Sequence, residues 1–287
     1  MSACSTASQI NIPSYHVLGC KVHAADAAAL TDLVEEGVES RKTCIIANHN
    51  LHSLYLFQRD AKMRELFSKA KWIHADGMGV VLLGKASGAT LPRSTRVTYV
   101  DWLPMLFERA AMRRWRVFYL GSKPGVAEKG AAILRQRLPA LEIRTADGYF
   151  EPNGEQNERV LEAIKLFRPH LLMVGMGMPR QEYWILDNLD RLDPAVVLPC
   201  GAAIDYAAGE VPTPPRWAGR CGLEWFCRLA AEPKRLWKRY LVEPWFLLFL
   251  VATQWFRRLI TNSGNAEPGE GTLASGVMGA ETGSSIE

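Results

Sequence analysis

The sequence lacks the patterns that assign a chain to several common classes of protein. Its 287 residues contain no run of about 18 apolar residues, so we expect no transmembrane helix. The first residues carry neither a basic segment nor an apolar one, so we expect no signal peptide. Neither G-x-G-x-x-G nor a Walker sequence occurs, which disfavours a dinucleotide site and an NTPase. No zinc-finger or other nucleic-acid motif occurs either, so we expect no nucleic-acid partner.

Cysteine is scarce, and its spacing forms no C-x-x-C pair among the six residues present. Cys44 and Cys200 lie inside apolar, strand-like runs. Free cysteine behaves as a small buried apolar residue. We therefore expect reduced thiols and a reducing compartment.

The composition that is present suffices for one large α/β domain and an appendage, with 48% hydrophobic and 22% charged residues. The net charge of +4 is unevenly distributed. Residues 216–260 contain nine Lys or Arg against three Asp or Glu, whereas the tail beyond contains four Glu and no base. Such a local basic cluster indicates phosphate or anionic lipid as a partner more than a diffuse excess does.

Apolar, strand-like runs alternate with helical periodicity through most of the chain. This alternation predicts an α/β fold with a Rossmann-like, mostly parallel sheet and helices on both faces. Ligands bind beyond the carboxyl ends of the strands in such sheets, so the turns after the strands are the candidate site. The predicted strands are 44–47, 72–74, 117–120, 142–145, 171–174 and 196–198, and the predicted helices include 24–41, 51–70 and 181–191.

The chain divides into four predicted segments. They are a flexible N-terminus (1–17), the Rossmann-like domain (18–215), a basic aromatic C-terminal appendage (216–260) and a disordered tail (261–287). In the appendage the run WFLLFLVATQWF is too short to span a bilayer, but Trp at its ends suits a helix that lies in the membrane interface. Leu236, Trp237, Tyr240 and Leu241 are predicted to share one helical face. The alternative is a core-packed helix with a solvated basic face.

Polar residues follow two of the predicted strands. Asp76 is either a turn residue or a general base that takes a proton from an acceptor hydroxyl. Asn48, His49 and Asn50 either hydrogen-bond a sugar or cap a helix, and His49 has the further alternative of a structural histidine.

Two glycine-containing turns lead from strands into helices. Free amides at Gly121 and Ser122 could hold a phosphate or a sugar-nucleotide hydroxyl, unless Ser122 merely caps the following helix. At the second turn Pro179 suits the first helical position and Glu182 the first turn, beside the positive end of the dipole. Gln181 has no such structural explanation, so we predict that it faces the pocket and holds sugar hydroxyls.

Taken together, these stretches resemble the WecG/TagA/CpsF family, glycosyltransferase family 26. The resemblance runs in family order from about residue 42 to about residue 241. It is specific as an ordered set, although each piece alone is weak. The matching pieces are Ala75-Asp76-Gly77, Thr95-Arg96-Val97-Thr98 with Asp101, Leu120-Gly121-Ser122, Gly175 to Glu182, Gly201 to Asp205, and Gly222-Leu223-Glu224-Trp225 through Arg239-Tyr240.

The resemblance implies an inverting, metal-independent transferase without a cofactor. Its implied partners are a UDP-sugar donor, a polyprenyl-diphosphate-linked sugar acceptor and the cytoplasmic membrane surface, to whose inner face the protein attaches peripherally. It implies Asp76 as the base and a sugar pocket that includes Asn48, Arg96 and Gln181. For UDP we predict Gly121, Ser122, Gly177, Gly201, Ala202, Asp205, Arg216, Arg220 and Arg228, since arginines can hold a diphosphate where no D-x-D motif occurs.

The sugar that is transferred depends on the first motif. Ile46 stands where many members carry a threonine, and the run from Asn48 to Ser53 is similar to the xanthan-type branch. The sequence therefore favours glucose transfer in exopolysaccharide biosynthesis, with an N-acetylmannosaminyl or N-acetylmannosaminuronyl transferase as the alternative. A nicotinamide oxidoreductase and a non-catalytic membrane adaptor are more distant alternatives. A homo-oligomer is possible.

Overall fold

The computed structural model describes residues 11–212 and 224–263. Its centre is a six-stranded sheet with the strands β3 (Cys44–His49), β4 (Trp72–Ala75), β5 (Arg116–Gly121), β6 (Glu142–Ala146), β7 (Leu171–Gly175) and β8 (Val196–Pro199). The strand order is β4-β3-β8-β7-β5-β6, and every neighbouring pair is parallel. The predicted α/β class and mostly parallel sheet are confirmed.

Helices cover both faces of the sheet because successive side chains of a strand point to opposite sides. Ile46 packs into a cluster with one group of helices, whereas its neighbour Ile45 packs into a cluster with the other. The first group is α1 (Ala27–Ser40), α5 (Tyr99–Met112), α6 (Val126–Arg137) and α9 (Ala203–Ala207). The second is α3 (Ala61–Lys69), α7 (Glu155–Phe167) and α8 (Arg180–Asn188).

The predicted helix 51–70 is two helices, α2 (Leu51–Arg59) and α3. Asp60 adopts an extended backbone between them, and its side chain accepts the backbone N–H groups of Lys62 and Met63. A new N-cap therefore starts α3, and the single-helix prediction was wrong at this point.

A third apolar cluster connects the two ends of the described chain. The strands β1 (Ser14–Val17) and β2 (Cys20–His23) pair antiparallel, so the last residues of the segment predicted to be flexible are in fact ordered. This hairpin packs with α2, with α4 (Met78–Ala86) and with the C-terminal helix through Leu247 and Val251.

The described part of the appendage is helical. It comprises α10 (Glu224–Ala231), α11 (Pro233–Trp237), a π-helical turn (Lys238–Val242) and α12 (Glu243–Ser263), whose end lies within the predicted tail. Within the described residues we find no helix with the length and apolar character needed to cross a membrane. The four thiols of Cys20, Cys44, Cys200 and Cys227 are free, as predicted, whereas Cys4 and Cys221 lie outside the described residues.

Candidate active site

A cavity of about 470 Å³ lies at the carboxyl edge of the sheet, between the turns that follow the strands and the C-terminal helices α10 and α11. Most of the predicted site residues line it, although they come from five different strand ends and from the appendage. They are Asn48, Asn50, Asp76, Ser122, Gly177, Gln181, Gly201, Ala202, Asp205 and Arg228.

Asp76 and Asn48 are in contact on one side of this cavity. The backbone N–H of Asp76 donates to the carbonyl of His49 at 2.7 Å, which holds the residue beside β3. The Nδ2 atom of Asn48 donates to Oδ2 of Asp76 at 3.2 Å. Within the described residues, Oδ1 of Asn48 is buried without a hydrogen-bond partner. The pair therefore offers a carboxylate in fixed orientation and one free acceptor for a substrate hydroxyl.

Asn50 and His49 have structural roles. Asn50 is the N-cap of α2, where its side chain accepts the N–H of Ser53 and its own N–H donates to Ser53 Oγ. His49 is fully buried and stacks on Phe67, with ring centroids 3.9 Å apart. Burial lowers the pKa of His49 to about 3, so its imidazole is neutral. His49 does not line the cavity, and its predicted sugar contact is corrected to a structural histidine.

Arg96 also lies off the cavity walls. Its Nη2 atom donates to Oδ2 of Asp101 at 2.7 Å, and that same carboxylate oxygen accepts the hydroxyl of Thr98 at 3.0 Å. Val97 donates its N–H to the carbonyl of Ala75, so this segment lies along β4. The guanidinium of Arg96 thus pairs with Asp101 of α5, while the neighbouring backbone supports β4. Its predicted contact with the sugar stays a prediction.

Gln181 joins the turns that follow β7 and β8. Its Oε1 atom accepts the N–H groups of both Gly177 and Gly201, each at 3.1 Å. Its Nε2 atom donates to Oε1 of Glu182 at 2.7 Å. Gln181 lines the cavity, as predicted. Because its side chain is fully buried and three of the four hydrogen bonds that its amide can make go to the protein, we assign it a positioning role in place of the predicted sugar contact.

Glu182 lies in the first turn of α8, as predicted, and its side chain is buried next to this amide. Burial raises the pKa of Glu182 to about 7, because a carboxylate loses its hydration there. The predicted interaction with the helix dipole concerns the ionised form, which burial disfavours. Pro179, predicted at the first helical position, is the N-cap of α8.

Ser122 donates its hydroxyl to Oδ1 of Asp205, and the two side chains connect the turns after β5 and β8. Ser122 has a left-handed backbone (φ 64°) and does not cap α6, whose N-cap is Gly125. Burial raises the pKa of Asp205, with the Ser122 hydroxyl acting in the opposite direction. Gly121 is part of β5 and does not line the cavity; a Cβ there would meet the carbonyl oxygen of Gly175 at 2.4 Å.

Arginines of the appendage form the opposite side of the cavity. Arg228, Arg235 and Arg239 all line it, yet only Arg228 was among the predicted site residues. Arg216 and Arg220, the other two predictions, lie outside the described residues. Arg228, Arg235 and Arg239 lie on three successive elements, so the sequence signal was only their common place in the basic appendage.

Arg239 is the most informative of these cations. Burial lowers its pKa, and the charges that act on it include those of Arg228 and Asp76. Arg235 pairs with Glu232, whereas Arg239 makes no ion pair with any residue that the structure describes. A desolvated guanidinium without a carboxylate partner is suited to an anionic ligand. Within residues 11–212 and 224–263 no three His, Cys, Asp or Glu side chains gather as a metal-binding group.

The outer surface of the same helices exposes large apolar side chains. Leu236 is buried, but Trp237 and Leu241 are exposed, so the predicted common face is not formed. Leu241 lies in the π-helical turn, which changes the helical repeat after Leu236 and Trp237. The exposed side chains, called the apolar face below, are Trp225, Phe226, Trp237, Leu241, Val242, Trp245, Leu248, Phe249, Trp255, Phe256 and Ile260.

Comparisons with known proteins give a family match and several relatives. The model of the glycosyl transferase WecG/TagA/CpsF family matches residues 15–260. Proteins from the Staphylococcus aureus strains NCTC 8325 / PS 47, COL and MSSA476 are each 29% identical over 210 residues, which cover 69% of this chain and 80% of the relative. Each is named N-acetylglucosaminyldiphosphoundecaprenol N-acetyl-beta-D-mannosaminyltransferase.

Proposed function

Because the chain belongs to the WecG/TagA/CpsF family of glycosyltransferases, we propose that it transfers N-acetylmannosamine from a UDP-sugar to N-acetylglucosamine on polyprenyl diphosphate. The names of the relatives support this acceptor and this transferred sugar. They favour the alternative that the sequence left open over glucose transfer, so glucose and an exopolysaccharide role are not retained as the main proposal.

One observation carries the proposal: a carboxylate and a cluster of arginines line the same cavity. Asp76 takes the proton of the acceptor hydroxyl, and the hydroxyl oxygen attacks the anomeric carbon of the donor. The bond between that carbon and the diphosphate oxygen breaks with inversion, and UDP leaves with the electron pair. Asn48 keeps the carboxylate in place through its 3.2 Å hydrogen bond.

The departing diphosphate gains negative charge, and cations must balance it. In this proposal Arg239, aided by Arg228 and Arg235, balances that charge. The proposal is supported by the position of all three in the wall of the cavity that Asp76 also lines. The turns joined by Gln181, together with Ser122 and Asp205, line the part of the cavity that we assign to the nucleotide. The N–H groups of Gly177 and Gly201 are bonded to Gln181, so they fix the shape of these turns. In this proposal the guanidinium groups of the arginines take the place of a divalent cation, and no cofactor takes part.

The apolar face supports attachment to a membrane surface. Trp and Phe side chains with basic residues nearby are typical of helices that lie in the interface between lipid and water. We propose that the protein sits peripherally on the inner face of the cytoplasmic membrane, where the acceptor lipid would be found.

A transfer assay tests the proposal. Radiolabelled UDP-N-acetylmannosamine and UDP-glucose are each offered with vesicles that contain polyprenyl-diphospho-N-acetylglucosamine. We expect label from the first donor to enter the lipid fraction. Label from UDP-glucose alone would restore the glucose prediction, and no transfer from either would reject the proposal.

Two variants identify the base in the same assay. Asp76→Asn is expected to lower turnover by about 10²–10⁴-fold, the usual contribution of a general base, while UDP binding is kept. The control Asp187→Asn changes an exposed carboxylate that pairs with Lys62 on the surface, so it should leave turnover unchanged. Equal turnover of both variants would remove Asp76 from the mechanism.

A further inference from the structure

A shallow groove of about 490 Å³ lies between the end of α4 and the middle of α12, outside the active-site cavity. Only apolar side chains line it, namely Ala86, Leu248, Val251, Ala252, Trp255 and Phe256. The indole N–H of Trp255 donates to the carbonyl of Ala86 at 2.8 Å, so this donor is not free for a ligand. The groove therefore offers contact area and almost no hydrogen-bonding partner.

Both helices that form the groove start at the active site. The helix α4 begins two residues after Asp76 and reaches the groove at Ala86, eight residues further on. The helix α12 begins at Glu243, which accepts a hydrogen bond from His52 beside the cavity at 2.7 Å. It reaches the groove at Leu248, five residues further on. At 1.5 Å per residue, the groove begins about 12 Å along α4 and about 8 Å along α12.

We infer that this groove holds the part of the acceptor's isoprenoid chain that lies next to the diphosphate. The inference rests on the proposed function, in which the diphosphate and its sugar enter the cavity. A polyprenyl diphosphate sugar has a polar end followed by a long apolar chain. The molecule has that same order, with an arginine-lined cavity followed by an apolar groove.

An isoprenoid chain fits this groove better than a peptide does. A peptide laid against these six side chains would leave its backbone N–H and C=O groups without partners on that side. An isoprenoid chain carries no such groups. The bilayer interior is about as apolar as the groove. The isoprenoid chain therefore gains little free energy when it moves from the bilayer into the groove. The groove therefore acts chiefly by aligning the acceptor hydroxyl with Asp76.

Photocrosslinking tests the site without any transfer of sugar. The full chain is bound to anionic vesicles that contain a polyprenyl diphosphate with a diazirine in its first isoprene units, and no donor is added. We expect label on α12 peptides that include 248–256. Excess unlabelled polyprenyl diphosphate should remove this label, whereas excess diacyl phospholipid should not.

Two results would overturn the inference. One is the absence of label at the groove, and the other is equal labelling by a diazirine phospholipid, which would make the groove a general bilayer contact. The outcome is independent of the proposed transfer. Specific label without transfer from any donor would reject the enzymatic proposal alone, and transfer without label would reject the groove alone.

A filled groove gives a second test. Ala252 is exposed and lines the groove, so Ala252→Phe should fill it without disturbing the core. The control Val242→Phe adds the same ring to the apolar face outside the groove. For Ala252→Phe alone we expect crosslinking to be lost and kcat/KM with a long-chain acceptor to fall about tenfold.

The rate with a short-chain, water-soluble acceptor and the binding to vesicles should stay unchanged in Ala252→Phe. Equal slowing with both acceptors, or no slowing with the long one, would contradict an isoprenoid site.

Discussion

The side chains of His52 and Glu243 are joined by a hydrogen bond of 2.7 Å between Nδ1 and Oε2. His52 belongs to α2, two residues after Asn50 of the cavity, and Glu243 begins α12, three residues after Tyr240 of the cavity. Both side chains are less than one-fifth exposed. The contact therefore connects the sheet domain to the appendage close to the reacting groups.

Loss of this contact should loosen the appendage. His52→Ala leaves the carboxylate of Glu243 without its donor, and an unsatisfied group of this kind costs about 1–3 kcal/mol. We expect lower stability and, because Arg239 is four residues before Glu243, lower kcat/KM. A double-mutant cycle with Glu243→Gln should give a coupling free energy above about 0.5 kcal/mol. The exposed pair Lys62 and Asp187 is the control, and we expect its coupling free energy to be close to zero.

Arg239 should bind the diphosphate of the donor. Arg239→Gln is expected to lower kcat by about 10²–10³-fold, the usual effect of removing one preorganised donor at a developing charge. Arg239→Lys should recover only part of this, because lysine keeps the charge and loses the fork. Arg159→Gln, at an exposed arginine of α7, is the control. Calorimetric affinity for UDP that is the same in Arg239→Gln and the parent would contradict the assignment.

Gln181 should act on stability as well as on donor binding. Gln181→Leu leaves the N–H groups of Gly177 and Gly201 unpaired, at a cost of about 1–3 kcal/mol each. We expect a lower free energy of unfolding together with a higher KM for the donor. Gln58→Leu, which loses a bond to the carbonyl of Leu18 far from the cavity, should change stability alone. Unaltered stability in Gln181→Leu with altered sugar selectivity would restore the predicted sugar contact.

Glu182 should make stability depend on pH. Its pKa of about 7 in the fold exceeds the ordinary 4.5, because burial disfavours the carboxylate. Between these values the folded chain keeps a proton that the unfolded chain loses, so stability falls as pH rises through that window and is level above it. Relative to Glu182→Gln, the parent should lose about 2 kcal/mol between about pH 5 and pH 7. Urea unfolding at several pH values measures this, and parallel curves for the two proteins would exclude it.

The apolar face should bind lipid. Trp237 and Trp245 are 44% and 72% exposed. Replacing both with Ala should weaken sedimentation with anionic vesicles by about tenfold or more, since burying a large apolar side chain contributes about 1.5–3 kcal/mol. Leu166→Ala, at an exposed apolar residue of α7, is the control. Unchanged sedimentation of the double variant would place the attachment elsewhere.

The sequence predicted the sheet well because buried parallel strands are nearly continuous apolar runs between helices. The prediction 171–174 differs from Leu171–Gly175 by one residue. The sequence also predicted correctly that Asn48 and Asp76 lie at the carboxyl edge of the sheet, since a strand end is a local feature. The sequence could not show which way neighbouring side chains point. Asn48 contacts Asp76, whereas the adjacent His49 turns into the core against Phe67.

Long-range contacts account for the other differences. The Oε1 atom of Gln181 accepts the N–H of Gly201. Gly201 follows β8, whereas Gln181 follows β7. Arg235 and Arg239 reach the cavity only because the appendage folds back over the sheet edge. The π-helical turn breaks the regular repeat on which the predicted face of Leu236 and Leu241 depended. Neither composition nor periodicity contains this information.

The arginines of the cavity and three exposed tryptophans, Trp225, Trp237 and Trp245, belong to one short run of chain. A protein held to lipid by that run searches for its acceptor within a plane, not in a volume. Its rate then depends on the mole fraction of acceptor among the surrounding lipids. Diluting that surface with inert lipid would slow the reaction even though the amounts of enzyme and acceptor in the tube stay the same.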